Sequence, residues 1–236
     1  LPPGSDCLDV GSGRGTIAVW LAHSLPSGQV TAVDLDHEAF LDDRPPNLTL
    51  ETGDIRQLPL PSAAFDLIHG RAILGFIPTR VDLLTEFFSA IKPGGAILLT
   101  EMDFGKIAAG PDKVWAAFWT SYLAFADAQD WDLRLGGKLP HMLAQAGFVD
   151  VDCRHIAPTL NIASQTASGA EARTWSLTLA TLAPKLIGGG FMAESQLSAA
   201  IDVIRNPNAY TPGPGFGVVT ARKPIAGADH STQGSA

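Results

Sequence analysis

The sequence predicts an α/β fold in which a doubly wound, mostly parallel sheet carries helices on both faces. Short apolar runs alternate with helical stretches through most of the chain, and a glycine-rich turn at residues 11–15 follows the first run. Acidic residues, Asp9, Asp34 and Asp54, lie at or just after the ends of the first three runs. This alternation is typical of parallel sheets, whose strands end together at one ligand-binding edge.

The composition predicts one globular domain. The chain has 236 residues, of which 46% are hydrophobic, which is enough for a full core and too many for a disordered chain. We expect a single domain over residues 1–224, with a helical insertion at about 106–135 and a disordered tail at 225–236.

The charge and the cysteine content limit which classes of partner and which cellular compartment the sequence favours. The net charge is −8 and no run of lysine or arginine occurs, which argues against nucleic acid or an anionic membrane surface as a partner. No apolar run reaches membrane-spanning length, and no signal peptide is visible. The two cysteines, Cys7 and Cys153, fit a reducing compartment. We therefore expect a cytoplasmic protein, and we expect no metal because no clustered metal-ligand pattern occurs.

The first three strands are predicted at residues 6–10, 30–33 and 48–51. The first helix follows the glycine turn and ends at residues 26–28, where proline and glycine stop it. Its apolar residues are expected on one face, and they are Ile17, Trp20, Leu21 and Leu25.

The fourth and fifth strands are predicted at residues 65–69 and 96–100. The fifth is uniformly apolar, as a central parallel strand should be, and it delivers Glu101 and Asp103 to the carboxyl edge of the sheet. A helix between the two strands closes at residues 92–95. Its expected core-facing residues are Leu83, Leu84, Phe87, Phe88 and Ile91.

The regular alternation breaks after the fifth strand, where residues 110–130 hold aromatic side chains at helical spacing. It then resumes with a helix, a sixth strand, two helical stretches joined by a glycine triplet, and a last strand suited to antiparallel pairing beside the fifth. In that order these elements are predicted at residues 138–146, 148–154, 168–186 and 193–206 (joined by 188–190), and 216–220.

The glycine turn indicates a ligand site. Gly11 and Gly13 permit positive φ and a close approach of a ligand to the main chain, while the following helix directs unpaired N–H groups to the same place. A dinucleotide fingerprint, G-x-G-x-x-G, would require glycine at Thr16, yet the third glycine comes one residue earlier, at Gly15. A glycine-rich corner of another α/β protein is the alternative.

With Asp9 ahead of it, this turn resembles the first motif of the class I S-adenosylmethionine-dependent methyltransferases. The runs LPLPSAAFDLIHGRAILGFIP, IKPGGAILLTEMD and LPHMLAQAGFVDVDC are similar to those of small-molecule methyltransferases of the ubiquinone and menaquinone biosynthesis type. The resemblance implies a Rossmann-like, seven-stranded sheet of order 3-2-1-4-5-7-6 with strand 7 antiparallel and a helical insertion after strand 5. It also implies S-adenosyl-L-methionine as the cofactor.

The resemblance further implies which residues contact that cofactor. Asp34 would bind the ribose hydroxyls, although it could instead cap a short helix. Asp54 would reach the adenine amino group and Ile55 would pack on the ring, whereas Arg71 is either beside the cofactor carboxylate or a surface charge. The full expected set is Asp9, Gly11, Ser12, Gly13, Asp34, Leu35, Asp54, Ile55 and Arg71.

The reaction expected from the resemblance needs little from the protein beyond alignment of a nucleophile with the activated methyl group, with proton removal where required. The candidates for a base are His69, Asp103 and Tyr122, and a structural histidine is the alternative for His69. An acceptor pocket is expected from Phe76, Trp115, Trp119 and Tyr122. Helical spacing fits equally a helix packed on the domain.

We therefore expect an enzyme that methylates an oxygen, nitrogen or carbon of a small, largely apolar metabolite. One alternative is a methyltransferase-like protein that binds the cofactor but catalyses a non-methylating step such as cyclisation. Another alternative is an NAD(P)-dependent oxidoreductase, but Thr16 and the Gly53–Asp54 pair argue against it. A non-catalytic binding module is the fourth possible function. The sequence predicts neither the acceptor nor the oligomeric state.

Overall fold

The computed structural model describes residues 1–109 and 112–225. A seven-stranded sheet has the order β3-β2-β1-β4-β5-β9-β6. The strands pair in parallel except β9, which lies antiparallel between β5 and β6. The expected strand order is confirmed, with β9 as the seventh strand. The strands are β1 Cys7–Val10, β2 Val30–Asp34, β3 Leu48–Thr52, β4 Phe65–Arg71, β5 Ile91–Asp103, β6 Val149–Ile156 and β9 Gly215–Arg222, and a separate two-stranded sheet joins β7 Thr159–Leu160 to β8 Thr211–Pro212.

Six α-helices accompany these strands in the described part of the chain. They are α1 Thr16–Ser24, α2 Arg80–Ala90, α3 Lys113–Asp127, α4 Leu139–Gln145, α5 Ala167–Gly188 and α6 Glu194–Arg205. None of them combines the length and the apolarity that crossing a membrane would demand.

Alternation of side chains along the strands builds a core on each face of the sheet. Cys7 of β1 packs in a cluster with α1, whereas Leu8 and Val10 face the opposite way and pack with α2 and α4. All four residues of β1 are buried, as expected for a strand covered on both faces.

A third core cluster joins α3, α5 and α6 beyond the carboxyl end of β5, through Met102 and Phe104. The expected insertion after strand 5 supplies α3. Residues 157–214, between β6 and β9, supply α5 and α6. The helical layer is thus assembled from two separate segments, of which the sequence pattern assigned only one to an insertion.

Several details differ from the sequence-based expectations. Trp20 was expected on the buried face of α1, but it is 62% exposed. The helix instead presents Ala18 and Ala22 to the sheet, because these small side chains allow close approach while Trp20 lies on the opposite side of the helix. β5 begins at Ile91 rather than after the glycine pair, so Ile91 belongs to the strand. The expected disordered tail lies, from residue 226 onward, outside the described residues.

The two cysteines differ in accessibility. Cys7 is fully buried, and burial together with Asp66 and Asp6 raises the pKa of its thiol to about 12. Cys153 is exposed on β6. Because thiolates are the reactive species, Cys7 should be inert in the folded protein.

We predict that Ellman's reagent at pH 8 titrates one thiol in the native protein and two in denaturant. Cys153→Ser should leave none that react in the native state. Equal labelling rates of both native thiols would contradict the buried position of Cys7.

Candidate functional site

A cavity of about 340 Å³ opens at the carboxyl ends of the central parallel strands. Five of the nine residues expected to contact a cofactor line it, and so does Phe76 from the expected acceptor pocket. The complete lining consists of Gly11, Val33, Asp34, Leu35, Gly53, Asp54, Ile55, Arg56, Ala72, Ile73, Phe76 and Ile77.

The glycine turn reaches this cavity through Gly11. Gly11 and Gly13 have φ of 67° and 52°, the left-handed region that glycine favours. A Cβ at Gly11 would stand 2.5 Å from Cδ1 of Ile73, whereas one at Gly13 would meet nothing within 4 Å. Gly15 begins α1 in the same left-handed region without a side-chain cap. The first turn of the helix therefore keeps backbone N–H groups that no side chain caps.

Asp34 ties this turn to the end of β2. Its carboxylate accepts the N–H of Gly13 at 2.7 Å through one oxygen and the N–H of Leu35 at 2.8 Å through the other. No helix follows it between β2 and β3, so the alternative that Asp34 caps a helix is wrong. Each carboxylate oxygen retains acceptor capacity on the cavity side.

Asp54 and Ile55 reach the cavity from the turn after β3. Ile55 is buried. Asp54 accepts three hydrogen bonds from the guanidinium of Arg56, with Nε 2.9 Å and 3.0 Å from the two oxygens and Nη2 bound to Oδ2. Those bonds hold the pKa of Asp54 below its ordinary value. Arg56 also lines the cavity, and the sequence reasoning missed it because an arginine two residues after an aspartate is unremarkable.

Asp9 and His69 form a buried pair beneath the turn. They are neighbours in the β1–β4 ladder, and Nδ1 of His69 lies 2.7 Å from Oδ1 of Asp9. The other carboxylate oxygen of Asp9 is buried and has no hydrogen-bond partner in the structure. An unpartnered buried carboxylate oxygen is costly, so it marks a place where a donor from a ligand would be stabilising.

The remaining expected residues lie outside the cavity. Ser12 is 3.4 Å from His37 through its hydroxyl. Arg71 is exposed at the end of β4, and within residues 1–109 and 112–225 it enters no ion pair. Asp103 is bound to His155 of β6, 3.1 Å away.

The aromatic side chains of α3 lie inside the helical layer. Trp115 donates its indole N–H to the carbonyl of Pro212 at 2.7 Å, and Trp119 is fully buried among aromatic rings with its indole N–H unpartnered. Burial raises the pKa of Tyr122 above its ordinary value. Phe76 is separated from these three and packs edge-to-face on Trp131, with ring centroids 5.1 Å apart.

No three His, Cys, Asp or Glu side chains converge in a metal-holding arrangement anywhere in the described ranges. The site is thus a cavity built from a glycine turn, two carboxylates at strand ends and apolar walls.

Comparison with known proteins shows which proteins this chain is similar to. Residues 7–95, which contain the turn and both carboxylates, match the family model described as a methyltransferase domain. The methyltransferase str3 of Strobilurus tenacellus is 29% identical over 140 residues, which cover 58% of this chain and 50% of that protein. Over residues 7–95 the chain is therefore similar to methyltransferases, in agreement with the resemblance to the S-adenosylmethionine-dependent class I enzymes.

Solved structures share the fold of this chain. A phosphoethanolamine N-methyltransferase of Haemonchus contortus, in complex with S-adenosylhomocysteine, gives a TM-score of 0.60 at 17% identity over 95% of this chain and 50% of that one. The [4+2]-cyclase SpnF gives a TM-score of 0.56 at 19% identity, over 95% of this chain and 77% of that one. The chain spans about half the length of the curated relatives it matches.

The residues of the cavity fit S-adenosyl-L-methionine, the cofactor that the resemblance implies. Leu35 lines the cavity yet is 71% exposed, and a flat ring opposite Ile55 would cover it. The uncapped first turn of α1 and the unpartnered oxygen of Asp9 are further polar groups that a ligand could satisfy.

We predict that Gly11→Ala lowers the free energy of unfolding more than Gly13→Ala does. Both substitutions force alanine into the left-handed region, at about 1 kcal/mol. Only the first also drives a methyl group into Ile73, which adds about 1–3 kcal/mol of overpacking. Urea denaturation of both variants measures the difference, and equal losses would show that the contact with Ile73 is not tight.

Proposed function

We propose that this chain transfers the methyl group of S-adenosyl-L-methionine to a small, largely apolar metabolite. The observation that supports it is the cavity itself. It brings Gly11, Asp34, Asp54 and Ile55 to one edge of the sheet in the order in which an adenosyl group needs polar and apolar contacts.

Each cavity residue has a proposed binding role. Asp34 accepts hydrogen bonds from the ribose hydroxyls, which its free lone pairs permit. Asp54 accepts from the adenine amino group, while Leu35 and Ile55 pack on the two faces of the ring. Arg56 keeps Asp54 ionised and therefore an acceptor.

The methionine end of the cofactor is proposed to lie over the glycine turn. The unpartnered oxygen of Asp9 accepts from the amino group, and Ser12 and Gly13 lie beside it. Arg71 pairs with the carboxylate of the cofactor. Its exposed position and the lack of any other ion pair in the described ranges support this role. When bound, the sulfonium supplies an activated methyl group.

His69 is the best supported of the three candidate bases. Its Nδ1 is held by Asp9, an arrangement that fixes the ring and leaves Nε2 for the proton. Asp103 is already bound to His155, and the raised pKa of Tyr122 keeps its hydroxyl protonated.

The acceptor is proposed to approach past Phe76, the exposed aromatic residue on the cavity, toward the helical layer. Trp131 supports Phe76 from behind. Trp115, Trp119 and Tyr122 would form the apolar interior of that layer. We further propose a cytoplasmic location, which the two free cysteines support.

We predict that purified protein binds S-adenosylhomocysteine in calorimetry and does not bind NAD. Asp34→Ala should weaken the affinity by tenfold or more, because it removes both the ribose acceptors and the bond to Gly13. Asp36→Ala, two residues away and exposed, should leave the affinity unchanged.

The same protein, given S-adenosylmethionine with a labelled methyl group and a panel of phenols, quinones, carboxylic acids and amines, should label at least one acceptor. Binding without labelling, with the cofactor recovered intact, would favour the non-methylating alternative. Absence of binding would refute the proposal.

A further inference from the structure

Glu101 is a buried carboxylate that the proposed roles do not use. It lies near the carboxyl end of β5, is fully buried, and enters no salt bridge among residues 1–109 and 112–225. Burial raises the pKa of its carboxyl, against the backbone N–H bonds and the charge of Arg80, which lower it. A fully buried charge persists in a fold only where it is well hydrogen-bonded.

Three consecutive backbone N–H groups provide those bonds. Oε1 accepts from Ile73 at 2.9 Å and from Leu74 at 2.8 Å, and Oε2 accepts from Gly75 at 3.2 Å. These residues begin the short 3₁₀ turn Leu74–Phe76, whose first N–H groups lack partners within the turn. Glu101 therefore caps this turn from a strand 26 to 28 residues away in sequence.

The opposite side of the same turn is held as well. Arg80 donates from Nε to the carbonyl of Leu74 at 3.0 Å and from Nη2 to those of Gly75 and Asp130, both at 3.4 Å. The N–H of Asp132 donates to the carbonyl of Gly75 at 2.7 Å. The turn is thus fixed between β5 on one side and the chain after α3 on the other.

The fixed turn is one wall of the cavity. Ala72, Ile73, Phe76 and Ile77 all line it. Ala72 enters the segment with φ of 53°, a conformation that alanine rarely adopts and that surrounding contacts must enforce. Because Ile73 is also the side chain that meets Gly11, any shift of this wall would disturb its contact with the glycine turn.

We propose that Glu101 is a positioning residue: by capping residues 73–75 it holds the wall of the cofactor cavity in its binding geometry. Its effect on affinity rests on the proposed function. Its effect on the wall itself does not.

The test uses Glu101→Gln in the full chain. Glutamine can keep the bonds to Ile73 and Leu74 through its oxygen, but its NH₂ then faces the N–H of Gly75, so one donor loses its acceptor and meets another donor. We expect the dissociation constant of S-adenosylhomocysteine, measured by calorimetry, to rise about tenfold. We also expect amides 73–75 to exchange hydrogen faster while those of β1–β3 keep their protection.

Asp66→Asn is the matched control. Asp66 also accepts a backbone N–H, that of Asp6, and a charged donor, Lys92, but at the opposite end of β4. Asp66→Asn should lower the free energy of unfolding. It should change neither the dissociation constant of S-adenosylhomocysteine nor the hydrogen exchange of amides 73–75. If Glu101→Gln fails to fold, Arg80→Met, which releases the turn from its other side, should raise the dissociation constant in the same way.

Wild-type affinity in Glu101→Gln, or unchanged affinity in Arg80→Met where that variant is needed, would overturn the proposal. So would exchange that is uniformly faster over the whole sheet, which indicates only general destabilisation. If the wild type itself binds no S-adenosylhomocysteine, the proposed function fails while the local exchange of residues 73–75 still decides the role of Glu101.

Discussion

The structure of the site depends on how the turn after β1 is fastened to the end of β2. The N–H groups of Gly11 and Ser12 both donate to the carbonyl of Val33, and that of Gly13 donates to Asp34. Three successive backbone donors thus converge on two adjacent residues. This forces the positive φ values at Gly11 and Gly13 and turns the chain sharply into α1. These bonds hold Gly11 and the carboxylate of Asp34 side by side on the cavity.

The second constraint is the packing of the helical layer, formed by α3, α5 and α6, over the carboxyl end of β5. Trp119 packs edge-to-face against Phe104, Trp115 and Trp175, and its neighbours on α3 extend the cluster. Such aromatic pairs stabilise by about 0.5–1.5 kcal/mol each beyond the area they bury. They join helices that come from two distant segments of the chain. Residues 130–132 link this layer to the cavity wall, so packing above the sheet bears directly on the site.

The sequence was most informative where local pattern and chemistry coincide. Strand periodicity, together with the family resemblance, predicted the strand order. Glycine spacing and the acids at strand ends pointed to Gly11, Asp34 and Asp54, which line the cavity, but not to Arg56 or Ile73, which also line it. Trp20 was misplaced because hydrophobicity does not say which side of a helix needs small side chains against a sheet. The sequence pointed to Glu101, Asp9 and His69 individually. It did not predict the bond between Asp9 and His69 or the bonds from the backbone of residues 73–75 to Glu101. Their contacts depend on strand register, which no local pattern encodes.

The most direct measurement of the central claim is a crystal structure of this chain bound to S-adenosylhomocysteine. We expect the adenine ring between Leu35 and Ile55, the ribose hydroxyls on the carboxylate of Asp34, and the bond from Gly13 to Asp34 intact. A ligand bound elsewhere on the chain, or a glycine turn that opens and releases Asp34 on binding, would contradict it.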